Sequence, residues 1–106
     1  MIDTDFNKWT LHDASIDTFS IDWNNKTCQL NLKVFLKTGE DAVPCKIIWR
    51  DLIEISIPSK NPWGKSVFIN NQRKISEDEY LIEMQSGDEI KISAGQVELI
   101  ESKRNL

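Results

Sequence analysis

Apolar and polar residues alternate with a period of two across residues 18–36, on both sides of a short polar break. This pattern is typical of a β-hairpin with one face in the core and the other in water. Asn25 and Lys26 are predicted at the centre of the turn. The apolar pairs on the inner face are then Trp23 with Cys28, Ile21 with Leu30 and Phe19 with Leu32. Ile16 is out of phase with them, which predicts a β-bulge near residues 17–18.

A second hairpin is indicated by alternation on either side of Ser86, Gly87 and Asp88. A three-residue loop there pairs Tyr80 with Ala94, Ile82 with Ile92 and Met84 with Ile90. On the opposite face, the same register sets Glu83 against Lys91. One alignment therefore matches apolar with apolar and acid with base, which favours this hairpin.

The rest of the chain consists of shorter patterns separated by turn signals. Residues 1–10 are predicted to be a polar lead-in, with Phe6 and Trp9 packed against the edge of the core. The odd-numbered apolar residues between Pro44 and Pro58 predict either one long bent strand or two short ones. The remaining predicted elements are a turn (59–65), a short strand (66–70), a polar connection with at most one helical turn (71–79) and a last short strand (97–100). Proline fits the ends of the central pattern because it cannot donate to a ladder.

Six or seven short strands with hardly any helical periodicity predict an all-β fold. We expect a single domain spanning residues 1–106. Its architecture is either an antiparallel β-sandwich or a partly open barrel with at most one short helical turn. An α+β fold with one short helix is the alternative.

The chain carries 17 acidic and 13 basic residues, a formal net charge of −4. This balance argues against a nucleic-acid partner, which would require a basic face, and it permits a basic protein partner. The first residues do not resemble a signal peptide, and no apolar run reaches membrane-spanning length. Cys28 and Cys45 share the phase of the core residues, as in reduced proteins. We therefore expect a cytoplasmic protein with no membrane partner.

His12 and Asp13 are the first candidates for chemistry, because an acid can orient a histidine as a general base. His12 is the only histidine, and strand neighbours point to opposite faces, so we interpret it as ordering the entry to the first strand. An alternative ligand site would combine His12, Asp13 and Gln85 with Trp63. Core cysteines and scattered carboxylates provide no nucleophile and no ligand set. We expect no catalytic residues, no metal and no cofactor.

The strongest turn signal is an Asn-Pro followed by a Trp-Gly. A tryptophan on a tight surface turn either seals the core or acts as a binding anchor. The predicted partner-binding residues are Asn61, Pro62, Trp63, Gly64 and Ser66.

The segments LHDASI, PWGKSVFIN and IEMQSGDEIKI resemble a group of small uncharacterised bacterial proteins that share HDA, PWG followed by Ser, and EMQSGD. The resemblance covers about residues 11–100. Similar small β-rich proteins are grouped with the immunity proteins of bacterial toxin systems. The resemblance thus implies a noncatalytic, immunity-like partner-binding module, and a small-molecule-binding or minor enzymatic domain using His12 and Asp13 is the alternative.

Overall fold

The computed structural model describes residues 2–36, 39–57 and 68–102, and these form an antiparallel β fold. The strands are β1 (Ile2–Asp3), β2 (Ser15–Asp22), β3 (Thr27–Val34), β4 (Val43–Ser56), β5 (Ile69–Ser76), β6 (Glu79–Met84) and β7 (Glu89–Glu101). Helix in the described ranges is limited to one 3₁₀ turn, Phe6–Lys8. The all-β prediction is confirmed. No helix within these ranges is long and apolar enough to cross a membrane.

The strands form one sheet in the order β2-β3-β4-β7-β6-β5, with β1 added beside the end of β7. The two outer strands of this order approach each other at their first residues. Ser15 forms an isolated antiparallel bridge with Phe68, and the N–H of Ile69 donates to the carbonyl of Ala14 at 2.8 Å. The sheet therefore curls into a barrel that this short seam partly closes.

The long strands β4 and β7 bend where Asp51 faces Gly95. Asp51 has a φ of 56°, and a Cβ on Gly95 would lie 3.0 Å from the Cβ of Asp51. On β4 the inward-facing residues are odd-numbered up to Trp49, and the next one is Leu52, an even position. On β7 they are even-numbered up to Ala94, and the next one is Val97, an odd position. The bend brings one half of the sheet (β2, β3 and the first half of β4) face to face with the other half (β5, β6 and the first half of β7).

The space between the two halves contains one apolar core. Its buried members come from every long strand and from the N-terminal segment: Phe6, Trp9, Leu11, Ala14, Ile16, Cys28, Leu30, Leu32, Val34, Cys45, Ile47, Trp49, Ile69, Tyr80, Ile82, Met84, Ile90, Ile92, Ala94 and Val97. The predicted burial of Phe6 and Trp9 is observed. The side-chain amide of buried Gln72 donates to the carbonyls of both residues, which fastens the N-terminal segment to β5.

The first hairpin forms in a register that differs from the predicted one. The observed pairs are Ile16 with Leu32, Phe19 with Leu30, and Ile21 with Cys28, with a shift between Ile16 and Thr18. The predicted bulge is thus present, but the pairing of Trp23 with Cys28 is wrong because Trp23 lies in the turn. The turn is fixed by the carboxylate of Asp22, which accepts hydrogen bonds from the backbone and side-chain amides of Asn25 at 3.1 and 2.8 Å.

The second hairpin also forms in a different register. The observed pairs are Tyr80 with Ile92, Leu81 with Lys91, Ile82 with Ile90, and Glu83 with Glu89. The N–H of Met84 donates to the carbonyl of Asp88 at 2.8 Å, so the loop comprises residues 85–87. Gly87 is its third residue and has a φ of 94°. Loops of this length place a left-handed glycine at that position, which selects the observed register. The predicted contact of Glu83 with Lys91 is wrong.

The sequence between the two prolines forms one bent strand, β4, as one of the two predicted alternatives had it. One of its inward positions differs from the prediction, since Ile53 is 68% exposed, whereas Ile55 and Ile57 pack against the core as predicted. The register with β7 shifts between Leu52 and Glu54, which leaves Ile53 as the unpaired residue of a bulge. A bulge inserts one residue and changes the face of those that follow.

Two further predictions are corrected around β5 and β7. The polar stretch 71–79 is mainly strand, because β5 extends through Ser76 and pairs with β6. The spacing of Ser76 and Glu79 marks a tight turn, in which the hydroxyl of Ser76 donates to the Glu79 carboxylate at 3.0 Å. The predicted last strand is the second half of β7.

The two cysteines are free and buried. On neighbouring strands, Cys28 pairs with Trp49 and Cys45 pairs with Leu32. Four residues of strand separate the two positions, about 13 Å, whereas a disulfide requires Cα atoms within about 7 Å. Burial raises the pKa of the Cys28 thiol to about 12. Both thiols therefore serve as core residues, as their phase predicted.

We predict that Leu32→Ala lowers the free energy of unfolding by about 2–5 kcal/mol, the range for truncating a buried leucine. Leu32 is 1% exposed. Urea denaturation measures the change. Ile53→Ala is the matched control, because it truncates an exposed aliphatic side chain and should change stability by no more than about 0.5 kcal/mol. Equal losses in the two variants would contradict this assignment of core and surface.

Candidate functional site

The predicted binding turn lies outside the described residues. This applies to Asn61, Pro62, Trp63, Gly64 and Ser66. Their role as a partner-binding surface stays a prediction.

The residues of the alternative ligand site meet at the seam that closes the barrel. His12 Nδ1 lies 2.8 Å from the carbonyl oxygen of Asn70, and its Nε2 lies 3.6 Å from Asp13 Oδ2. The side-chain amide of Gln85 donates to Asp13 Oδ1 at 2.7 Å and to the carbonyl of Ile69 at 3.3 Å. The first residues of β5 and the loop after β6 therefore hold all three side chains in one hydrogen-bonded cluster.

The chemistry available to this seam cluster is limited by exposure. The side chains of His12 and Asp13 are 62% and 60% accessible. Since Asn70 contributes a carbonyl, which only accepts, the contact requires the imidazole proton on Nδ1. No group of three His, Cys, Asp or Glu side chains within residues 2–36, 39–57 and 68–102 could hold a metal ion. The cluster is positioned to fasten β2 to β5, and its role as a ligand site stays a prediction.

Trp23 is the feature that the sequence analysis placed wrongly. It occupies the turn between β2 and β3 and is 72% exposed. The Asp22–Asn25 hydrogen bonds hold this turn on one side. On the other side, the N–H of Leu52 donates to the carbonyl of Lys26 at 2.8 Å. An ordered turn thus presents a large aromatic ring to solvent.

The neighbourhood of Trp23 is both apolar and acidic. The Lys26–Leu52 hydrogen bond sets the turn against the bulged part of β4, where Ile53 is exposed. We define the Trp23 surface by the following exposed residues: Asp22, Trp23, Lys26, Ile53 and Glu54. It contains two carboxylates and one ammonium group. The Asp22–x–x–Asn25 spacing was the sequence signal for this turn, since Asx side chains bond to nearby backbone amides.

Comparison with known proteins adds a likeness of fold. No family model and no curated protein matches the chain. A solved structure, an uncharacterized protein from Neisseria gonorrhoeae, is similar with a TM-score of 0.59 and 18% sequence identity, over 93% of this chain and 96% of that one. At this identity the likeness shows the fold alone.

We predict that Gln85→Glu weakens the seam in a pH-dependent way. The variant replaces the amide donor by a carboxylate beside Asp13, and the lost bond is worth about 1 kcal/mol of unfolding free energy. The loss should be largest near neutral pH and should shrink at about pH 4, where carboxylates begin to protonate. Thermal unfolding at both pH values measures it.

Gln85→Met is the control for this experiment, because it keeps the length of the side chain and removes the donor without adding charge. Its effect should not change with pH. Identical behaviour of the two variants at both pH values would show that Gln85 and Asp13 do not interact in solution.

The acid titration of the Trp23 turn gives a further prediction. The side-chain and backbone amides of Asn25 donate to the ionised carboxylate and hold the pKa of Asp22 below its ordinary value. A depressed folded-state pKa contributes stability above the unfolded-state pKa, and this stability is lost as the pH falls through the folded-state pKa. We expect Asn25→Ala to raise the pKa of Asp22, measured by carboxyl NMR. Asn24→Ala keeps both Asn25 donors and should leave the pKa of Asp22 unchanged. If the pKa of Asp22 were the same in the two variants, the Asn25 hydrogen bonds would be ruled out as the cause of its low value.

Proposed function

We propose that this chain is a noncatalytic protein-binding module whose contact surface is centred on Trp23. The observation that carries the proposal is the 72% exposure of this tryptophan in a hydrogen-bonded turn. Tryptophan is enriched among the residues that dominate binding energy at interfaces. Because hydrogen bonds already fix the backbone of the turn, little backbone entropy is lost when a partner covers the ring.

The charge of the Trp23 surface specifies the chemistry of the partner. The carboxylates of Asp22 and Glu54 outnumber the ammonium of Lys26, and the chain carries a net charge of −4. Hydrogen bonds from Asn25 hold the pKa of Asp22 below its ordinary value, which favours the charged form of this carboxylate. The proposed partner is therefore a protein with an apolar pocket for the indole and a basic rim around it.

The resemblance to immunity-type proteins adds a class of partner to this proposal, namely a bacterial toxin with a basic surface. A basic surface is common in proteins that act on nucleic acids, because they neutralise phosphates. An acidic binding module could cover such a surface without a catalytic group of its own. The absence of a reactive thiol is consistent with this role, since both cysteines are buried in the core.

The alternative of a small-molecule site at His12, Asp13 and Gln85 has less support. These side chains do meet, but they do not line the cleft of about 250 Å³ that the described residues form elsewhere. A binding site for a small molecule is normally a concave pocket. The exposed seam cluster is explained by its hydrogen bonds across the barrel closure.

We predict that Trp23→Ala weakens partner binding by about 30-fold or more, equivalent to about 2 kcal/mol, with an unchanged thermal midpoint. The partner is first captured on the immobilised parent chain, identified by mass spectrometry and purified, and calorimetry then gives the Kd for each variant. Ile75→Ala is the matched control, because Ile75 is also exposed but lies beside the β5–β6 turn.

Trp63→Ala belongs in the same series, because it tests the turn predicted from the sequence. Loss of affinity in Trp23→Ala with the parent Kd in Ile75→Ala supports the Trp23 surface. Loss of affinity in Trp63→Ala alone would indicate that the partner contacts the 61–66 turn and not the Trp23 surface. Equal Kd values for the parent, Trp23→Ala and Trp63→Ala would contradict both surfaces.

A further inference from the structure

A cleft opens along β7 where the described residues give the strand no neighbour on one side. Pairing with β6 ends at Ser93, and pairing with β1 begins at Leu99. Between them, β4 lies beside residues 96–98 on one side of β7, and no strand of the described ranges lies beside residues 95–98 on the other side. The cleft has a volume of about 250 Å³ and is lined by Thr4, Arg50, Tyr80, Gly95, Gln96, Val97 and Glu98.

The path of the chain accounts for this gap. After β1 the N-terminal segment leaves β7 and enters the 3₁₀ turn Phe6–Lys8. At the other end, the N–H of Ala94 donates to the carbonyl of Asp78, which is the last contact from the β5–β6 turn. A strand edge without a neighbour presents backbone N–H and C=O groups on that side. The cleft thus offers hydrogen-bonding groups for a short extended ligand.

Two opposite charges lie in the same cleft. The guanidinium of Arg50 donates to the carboxylate of Glu98, and the two side chains are 44% and 17% accessible. The pair is neutral as a unit. An anionic ligand would have to compete with Glu98 for Arg50, and a cationic ligand would have to compete with Arg50 for Glu98. A ligand that carries both charges can satisfy both groups at once, because it replaces one ion pair by two.

We propose that this cleft binds a small zwitterion, an α-amino acid or a dipeptide, with its carboxylate on Arg50 and its ammonium on Glu98. The volume is slightly below the roughly 300–1,000 Å³ typical of pockets for drug-sized ligands, which fits a molecule of this size. The amide of a dipeptide would find partners on the free edge of β7. This site is separate from the Trp23 surface, and its occupancy does not depend on the proposed protein partner.

The test is a titration of the isotope-labelled full chain with glycylglycine, followed by NMR. The expected result is saturable shifts at the amides of Gly95, Gln96 and Glu98. N-acetylglycine amide, which has neither charge, should bind at least about tenfold more weakly. No saturation with glycylglycine up to about 10 mM, equal binding of the blocked compound, or shifts confined to other residues would overturn the proposal.

Variants test whether binding depends on the Arg50–Glu98 pair or only on the overall charge of the surface. Glu98→Gln should weaken glycylglycine binding at least about tenfold, whereas Asp17→Asn, which removes an exposed carboxylate of β2 outside the cleft, should keep the parent affinity. If Glu98→Gln does not fold, the double variant Arg50→Gln with Glu98→Gln replaces it, because it leaves no unpaired charge. Parent affinity in the folded double variant would overturn the assignment of both charges.

Discussion

The close approach of Asp51 and Gly95 is the constraint on which the rest of the fold depends. A side chain at position 95 would begin 3.0 Å from the Cβ of Asp51 and 3.2 Å from its carboxylate, so glycine lets Asp51 lie against β7 without having to shift. Asp51 itself takes a left-handed φ of 56°. Aspartate tolerates this conformation better than bulky residues do. The bend at this point lets one sheet cover both sides of the core.

The alternation of apolar residues predicted the strands and their inward faces well, but it did not determine how they pair. In both hairpins the observed partners differ by two residues from the predicted ones, and every apolar side chain except Trp23 keeps its face. A shift of two positions is invisible to a pattern with a period of two. The register depends instead on turn chemistry, on the Asp22 carboxylate in one hairpin and on the left-handed Gly87 in the other.

The sequence pattern did not predict contacts between residues that are far apart in the chain. His12 and Gln85 were proposed as members of one site, and they do lie together, but their common neighbours are backbone carbonyls of β5. Likewise, the sequence placed Gln72 in a polar connection, whereas its side chain is buried and donates to the carbonyls of Phe6 and Trp9. A polar residue is only recognisable as a core residue when its partners are known, because burial requires them.

The same distortion that closes the core also creates the surfaces proposed for binding. A fully regular barrel would pair its backbone groups and bury its apolar side chains, which leaves little for a partner to recognise. Here the irregular part of β4 exposes Ile53 beside the Trp23 turn, while β7 stays paired with β4 past the bend and has no neighbouring strand of the described ranges on its other side as far as residue 98. Arg50 lines the cleft, and the carboxylate of the next residue, Asp51, lies beside Gly95 at the edge of the same cleft, whereas Ile53 and Glu54 belong to the Trp23 surface. Both proposed activities arise from one local departure from regular pairing, because that departure is where side chains and backbone groups remain available.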